Sequence, residues 1–321
     1  MEDFRSNLNR YIIRAFMEER PLVIVESADD RQIYTNIANS LGLNLAIHRV
    51  SDFELPAGCN GIIGCIEFIQ PNAQTDERYE KLILGVIDRD ARFYKNKEEF
   101  MGLQGLKCLF ILKYYSIETY FATRSNLQKL ITKITNAIHT DITDEMLHEI
   151  ETNINHSLET LYYLSLDALK QECLGKENHV AFKNLGTEEK EINIVGENVM
   201  KAFKETKLPL IKDLLDEFAV NNDISVTDIK LITKGKWYLF NFIYRSYEPI
   251  KQLKEKEELN KINTPNYKDS KLIFDIKLDL PPVPMYAYLY STILECLDHT
   301  ELADIIQKLR ELGLKDVNNA S

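Results

Sequence analysis

Residues 81–93 read KLILGVIDRDARF, an apolar run that ends in two aspartates separated by one residue. Two similar runs are PLVIVE at 21–26, which ends in a glutamate, and LKCLFIL at 106–112. Short, continuous runs rich in Val, Ile and Leu are typical of buried parallel strands. Together with NLAIHRV at 44–50, they predict four strands in the first part of the chain.

Helical patterns connect these strands and dominate the rest of the chain. Strands that alternate with helices predict a parallel α/β sheet. We therefore expect an α/β domain over residues 1–125 and a mostly helical domain over 126–321, which serves partner docking, dimerisation or substrate binding. The helical patterns cover residues 27–42, 117–137, 143–174, 198–219, 235–258, 284–297 and 301–312.

Three other segments are interpreted as turns, loops or helix ends. We interpret GCNGIIGC at 58–65 as a glycine-containing turn, and 175–197 as a loop. The charged stretch 251–271 predicts a loop or a helix end that faces water. The apolar and aromatic helix at 285–297 is interpreted as a core helix, with a dimer interface as the alternative.

The bulk composition limits the classes of function. The chain of 321 residues carries a net charge of −11, whereas proteins that grip duplex DNA over a long footprint are usually basic. This argues against a topoisomerase or a primase, and leaves open both a nuclease with a local basic patch and a subunit that docks on a protein. No apolar run approaches the roughly 20 residues that span a bilayer, and the N-terminus does not resemble a signal peptide, so we expect a cytoplasmic protein without membrane contact.

The cysteine pattern predicts free thiols. The five cysteines are scattered, mostly within apolar runs, and form no C-x-x-C pair, which argues against a zinc ribbon or a redox motif. They are Cys59, Cys65, Cys108, Cys173 and Cys296.

Acidic residues follow three of the predicted strands. Glu26 ends the first strand, and Asp30 comes four residues later in the loop or the first turn of a helix. Asp88 and Asp90 end the third strand, and Glu118 follows the fourth. Because the carboxyl ends of parallel strands form one crevice, we expect these carboxylates to converge and to bind Mg²⁺ or Mn²⁺, which prefer oxygen ligands. The alternative for each one is a structural role, such as capping a helix.

Three motifs resemble a known family. VIVESADD at 23–30, GVIDRDAR at 85–92 and YYSIETYF at 114–121 are similar, in this order and spacing, to the Toprim domain of topoisomerases, primases and OLD-type nucleases. The resemblance is greater to Toprim-like effectors that are encoded beside ABC-type ATPases in bacterial defence loci. It covers roughly residues 22–121, and the remainder is similar only in being helical.

The resemblance implies roles for the acidic residues. In this family a glutamate after the first strand and an Asp-x-Asp after a later strand bind magnesium. The family often has glycine directly after that glutamate, and this chain has Ser27 instead. Transferred to this chain, the metal ligands are Glu26, Asp88 and Asp90, and the catalytic acids are Glu26, Asp30 and Glu118.

The resemblance also implies a biological role. The chain would be a toxic nuclease that a partner ATPase holds inactive and that is released on phage infection, as a homodimer, to cleave transfer RNA. In the alternative, the Toprim-like domain is a non-catalytic docking subunit of the ATPase complex, and its acids are structural.

Basic residues suggest how nucleic acid would be held. The segment LITKGKWYLFNFIYR at 231–245 interleaves basic residues with aromatic ones, including Trp237, and such patterns can bind phosphates and stack bases. The alternative is an amphipathic core helix. The candidate substrate-binding residues are Lys113, Lys234, Lys236 and Arg245.

Overall fold

The computed structural model shows two compact units. The first comprises Met1–Lys113 together with His299–Ser321, and the second comprises Tyr114–Asp298. The predicted boundary near residue 125 lies further along the chain, and the assignment of the last segment to the first unit was not predicted. The structure describes residues 2–175, 197–263, 271–277 and 282–312.

The first unit is built from alternating helices and strands, as the sequence predicts. Its third strand is shorter than the predicted segment 81–93, because the chain leaves the sheet before the Asp-Arg-Asp sequence. The elements in chain order are α1 (Glu2–Glu18), β1 (Leu22–Val25), α2 (Ala28–Ser40), β2 (Ala46–Arg49), α3 (Cys59–Ala73), α4 (Arg78–Leu82), β3 (Ile83–Ile87), α5 (Arg92–Lys95), α6 (Lys97–Gln104) and β4 (Leu109–Ile111).

The four strands form one sheet in the order β2-β1-β3-β4, and all three neighbouring pairs are parallel. The central strands β1 and β3 are buried along their whole length. In the register of the sheet, Val23 of β1 lies opposite Ile47 of β2 and Leu84 of β3. The predicted parallel α/β sheet is therefore confirmed, and its two most buried strands are those that lead into Glu26 and Asp88.

The interpretation of GCNGIIGC as a turn is wrong, because this segment begins helix α3. Gly58 caps the helix with a φ of 117°, which only glycine adopts readily. A Cβ at Gly61 would lie 2.6 Å from the Pro56 carbonyl oxygen. On the sheet, a Cβ at Gly85 would lie 2.8 Å from Cγ2 of Ile62. Gly85 thus allows close packing of α3 against β3, whereas Gly61 allows α3 to lie close to the segment that precedes it.

The second unit is helical, as predicted. Helix α9 (Glu197–Ala202) continues through a π-helical segment, Phe203–Lys207, into α10 (Leu208–Asn221). The charged stretch from 251 is helical as far as Asn263, and its part at 264–270, like most of the predicted loop 175–197, lies outside the described residues. The described helices of the second unit are α7 (Arg124–Ile134), α8 (Asp144–Cys173), α9 (Glu197–Ala202), α10 (Leu208–Asn221), α11 (Ile229–Ile232), α12 (Gly235–Asn263) and α13 (Pro282–Leu294). Helix α14 (Ala303–Glu311) belongs to the first unit.

The longest helices of the second unit, α8 and α12, pack against each other through apolar and polar contacts. Asn241 of α12 donates to Ser157 of α8 at 2.9 Å, and the Ser165 hydroxyl of α8 is 2.8 Å from that of Thr233, which lies in the turn before α12. These buried hydrogen bonds fix the two helices in one register. Among the helices that the structure describes, none combines the length and the apolar character needed to cross a membrane.

Candidate acidic site at the carboxyl edge of the sheet

Two of the predicted metal ligands meet at the carboxyl edge of the sheet. Glu26 directly follows β1, and Asp90 lies three residues beyond the end of β3. The Sγ atom of Cys59 lies 3.1 Å from Oε2 of Glu26 and 3.7 Å from Oδ2 of Asp90. The two carboxylate oxygens can therefore be no farther apart than the sum of these distances, about 6.8 Å.

Cys59 is a member of this cluster that the sequence analysis did not find. Burial raises the pKa of its thiol far above the usual range, and the negative charges of Asp90, Glu26 and Asp88 raise it further. The thiol therefore stays protonated and donates its hydrogen to Glu26. No sequence pattern links residues 26 and 59, because their contact depends on the tertiary packing of α3 against β3.

The turn after β3 orients the aspartates. Asp90 has a φ of 48°, in the left-handed region that aspartate tolerates better than most residues. Nε of Arg92 lies 4.0 Å from Oδ2 of Asp90, whereas the guanidinium of Arg89 stacks on Phe93 and Phe100 at 4.8 and 5.2 Å. Of the two arginines in this turn, Arg92 is the one that contributes positive charge beside the aspartate.

Asp30 caps helix α2. Its Oδ2 accepts the backbone N–H of Ser27 at 2.9 Å, and the Ser27 hydroxyl accepts the backbone N–H of Asp30 at 3.2 Å. This reciprocal pair is a capping box. These contacts of the Asp30 carboxylate fit the structural alternative, in which the residue caps a helix. Ser27, at the position where the family that the chain resembles often has glycine, supplies the other half of the cap.

Glu118 belongs to the second unit and is buried there, with 8% of its surface exposed. Its carboxylate accepts the hydroxyl of Ser116 at 2.5 Å and that of Tyr290 at 3.4 Å. A Cβ at Gly235, the first residue of α12, would lie 2.7 Å from Oε2 of Glu118. Since helix N-termini stabilise negative charge, these contacts give Glu118 a structural role within the helical unit.

The four basic candidates are divided between the two units. Lys113 is exposed after β4 in the first unit, and the other three belong to the second. Nζ of Lys234 lies 5.6 Å from the ring centre of Trp237, whose side chain is only 2% exposed. The core-helix alternative is therefore confirmed for Trp237, which has no free face on which a base could stack. Arg245 lines a separate cavity in the helical unit.

The donor atoms at the acidic edge fit a hard divalent cation. Glu26, Asp88 and Asp90 supply carboxylate oxygens, which Mg²⁺ and Mn²⁺ prefer, and all three side chains are half-buried. In the part of the chain that the structure describes, no group of three or more His, Cys, Asp or Glu side chains is arranged to hold a metal ion. Partly exposed carboxylates can rotate toward an ion. The fit to Mg²⁺ or Mn²⁺ therefore rests on the type of donor atom and on the position of the three residues at one edge of the sheet.

Comparison with protein-family models and with curated proteins identifies no relative of the chain. No protein-family model matches the chain, and no curated protein matches it.

Proposed function

We propose that the chain is a metal-dependent nuclease whose catalytic centre is the acidic edge of the sheet. One observation carries the proposal: Glu26 and Asp90 come within about 6.8 Å of each other at the carboxyl ends of two central parallel strands. This is the edge at which open α/β sheets bind their ligands. Like charges so placed repel each other, and a divalent cation relieves that repulsion.

The proposed roles follow from the surroundings of each residue. Glu26, Asp88 and Asp90 would hold Mg²⁺ or Mn²⁺, and a bound ion of this kind activates water and stabilises a leaving oxygen. Oε2 of Glu26 accepts the Cys59 thiol, which orients the carboxylate. Glu26 would either bind the metal or accept a proton from the attacking water, and Arg92, beside Asp90, would attract the phosphate.

The proposed biological role rests on the resemblance of the three motifs. They resemble AriB, the Toprim-like effector of the PARIS anti-phage system, which suggests RNA, and specifically transfer RNA, as the substrate. On this proposal an ABC-type ATPase similar to AriA holds the chain inactive in the cytoplasm. Infection releases the chain as a homodimer, and the cleavage of transfer RNA then stops growth.

A docking subunit without catalysis is the second candidate. Helix α10 favours it, because Leu210 and Leu214 are 81% and 53% exposed and lie one helical turn apart. Exposed apolar side chains on one face of a helix are typical of protein interfaces. A docking subunit should not be stabilised by Mg²⁺ in a way that depends on Asp88 and Asp90, which thermal denaturation can measure.

Expression with sequencing of cellular RNA ends tests the nuclease. The wild type, Glu26→Gln and the matched control Glu67→Gln would be induced with and without the neighbouring ATPase gene. Glu67 is an exposed acid on α3 of the same unit. We expect growth arrest and discrete RNA breaks from the wild type and from Glu67→Gln, and neither from Glu26→Gln. Equal cleavage by Glu26→Gln would remove the acidic edge from the mechanism, and intact RNA in every strain would favour the docking subunit.

A further inference from the structure

The helical unit contains a cavity of about 420 Å³, formed by helices α8, α9 and α12 and by the π-helical segment. Its volume lies within the range of small-molecule sites, roughly 300–1,000 Å³. Two hydroxyl side chains from α8, Ser157 and Thr160, line it and are 6% and 7% exposed. The Ser157 hydroxyl accepts the side chain of Asn241 at 2.9 Å, so this wall is held rigidly.

The lining of the cavity is strongly basic. It includes one acidic side chain, Glu205, and none of its basic side chains forms an ion pair with a carboxylate in the described parts of the chain. The cationic residues are Lys201, Lys204 and Arg245.

Other lysines of the same unit are paired. Lys207, three residues after Lys204, lies 2.6 Å from Asp167, and Lys256 lies 3.0 Å from Glu149. In an acidic chain, with 50 Asp and Glu against 39 Lys and Arg, a group of cations without acidic partners is unexpected. The positive charge around the cavity is therefore available to an anion.

Arg245 is the residue of α12 that lines the cavity. Its guanidinium lies 5.2 Å from the ring centre of Tyr244, and its buried Nε has no hydrogen-bond partner within the described structure. The Nε atom itself is not accessible from the cavity, so an anion there would contact the rest of the guanidinium, on a side chain that is only half-buried. Arginine is also the side chain best suited to bind phosphate, because its planar fork matches the phosphate oxygens.

The π-helical segment places two of the charged residues. Lys204 and Glu205 lie within Phe203–Lys207, whose first residue is buried and anchors the segment. π-helical turns are rare and occur frequently at functional sites, because the extra residue in the turn changes the direction of the side chains. Here the turn contributes Lys204 to the cavity beside Lys201 of α9.

We infer that this cavity binds the phosphate group of a nucleotide, either free or within a nucleic-acid strand. Arg245 contacts the phosphate from α12, Lys201 and Lys204 contact it from α9 and the π-helical segment, and the Thr160 hydroxyl of α8 donates to its oxygens. The inference concerns a binding site in the helical unit and does not depend on catalysis at the acidic edge, so either proposal can fail without the other.

Binding experiments on the full-length protein test the inference. Inorganic phosphate, AMP and a fluorescent single-stranded RNA would be titrated in EDTA, so that no metal-dependent cleavage intervenes. The double variant Lys201→Ala/Lys204→Ala removes exposed side chains only, and Lys256→Ala is the control, since Lys256 is an exposed lysine that is already paired. Arg245→Gln is a second variant that retains hydrogen-bonding capacity.

The inference predicts that the double variant binds at least about 10-fold more weakly and that the control binds like the wild type. With RNA, the slope of log K against log salt should fall by about 0.7 for each lysine that no longer neutralises a phosphate. Binding of phosphate and AMP identifies a free nucleotide as the ligand, whereas binding of RNA alone identifies the strand. Wild-type protein that binds none of the three, or a double variant with wild-type affinity for all of them, would overturn the inference.

Discussion

Replacing Glu26 by Gln should stabilise the protein when no metal is present. The substitution keeps the size of the side chain, and its amide oxygen can still accept the Cys59 thiol. It removes one of two negative charges whose oxygens are at most about 6.8 Å apart. The backbone and the core of the first unit are unaffected, so a change in stability reports the repulsion between the carboxylates.

The geometry sets the size of this effect. Two unit charges about 6.8 Å apart repel each other by about 2.4 kcal/mol at an effective dielectric constant near 20. Screening at physiological ionic strength, with a Debye length of about 8 Å, reduces this to about 1 kcal/mol. Since Arg92 beside Asp90 offsets part of the repulsion, about 1 kcal/mol gives the order of magnitude of the effect. It corresponds to a rise in Tm of about 2–4 °C for a unit of this size.

Thermal denaturation in EDTA measures the repulsion between the carboxylates, and thermal denaturation in Mg²⁺ measures how far the cation relieves it. A ligand at ten times its Kd stabilises the native state by about 1.4 kcal/mol. Mg²⁺ should therefore raise the Tm of the wild type and remove the advantage of Glu26→Gln, whose own Tm changes little. The control Glu67→Gln should follow the wild type in both buffers. The reasoning fails if Glu26→Gln is less stable than the wild type in EDTA and if Mg²⁺ shifts both proteins equally.

Substitutions at four other positions test local features of the structure. Gly235→Ala should lower the free energy of unfolding by about 2 kcal/mol, because its Cβ would lie 1.8 Å from the Ser116 hydroxyl. Gly64→Ala, where a Cβ meets no atom within 4 Å, should raise it by up to about 1 kcal/mol, and urea unfolding measures both changes. Burial raises the pKa of Cys65 to about 12, so the native thiol stays protonated while the unfolded thiol ionises above about pH 9, and stability falls as the pH rises. Cys65→Ala should remove about 1.4 kcal/mol per pH unit from this slope in urea unfolding between pH 9.5 and 11, and an unchanged slope would contradict the burial argument. Ser27→Ala should cost about 1 kcal/mol through loss of the cap and Ser27→Gly only a few tenths, and equal losses would show that the cap contributes little.

The sheet and the strand ends could be predicted because a parallel strand has a simple sequence pattern. Residues that are buried on both faces produce continuous apolar runs, and each run ends where polar residues leave the sheet. The run PLVIVE therefore predicts both β1 and the position of Glu26. The same reasoning predicts that Asp88 and Asp90 follow β3, since parallel strands present their carboxyl ends at one edge.

Helix α3 could not be predicted in the same way. Its glycines are the residues that usually indicate a turn, but Gly61 contacts the Pro56 carbonyl, and Gly85 of β3 makes room for Ile62. Whether a glycine serves a turn or a close approach depends on its neighbours in space. The contact between Cys59 and Glu26 follows from this packing, and for that reason the sequence analysis did not find it.

The sequence also left the surroundings of the polar candidates undetermined. Glu118 follows a strand by sequence position, and the structure surrounds it with Ser116, Tyr290 and Gly235 of the helical unit. Trp237 belongs to a basic and aromatic segment, and the structure buries it. Sequence position shows which residue follows an element, but burial and hydrogen-bond partners depend on the rest of the fold.

The chemistry of Cys59 is compatible with the proposed dependence of the acidic edge on a cation. A lysine or an arginine between Glu26 and Asp90 would neutralise both carboxylates and remove the need for metal. A thiol whose pKa is raised by burial and by these carboxylates adds no charge of its own, and it donates one weak hydrogen bond, to Glu26. The side chain in contact with both carboxylates thus separates them without neutralising them. The repulsion remains, and a divalent cation that bound at this edge, as we propose, would gain the free energy that its relief provides.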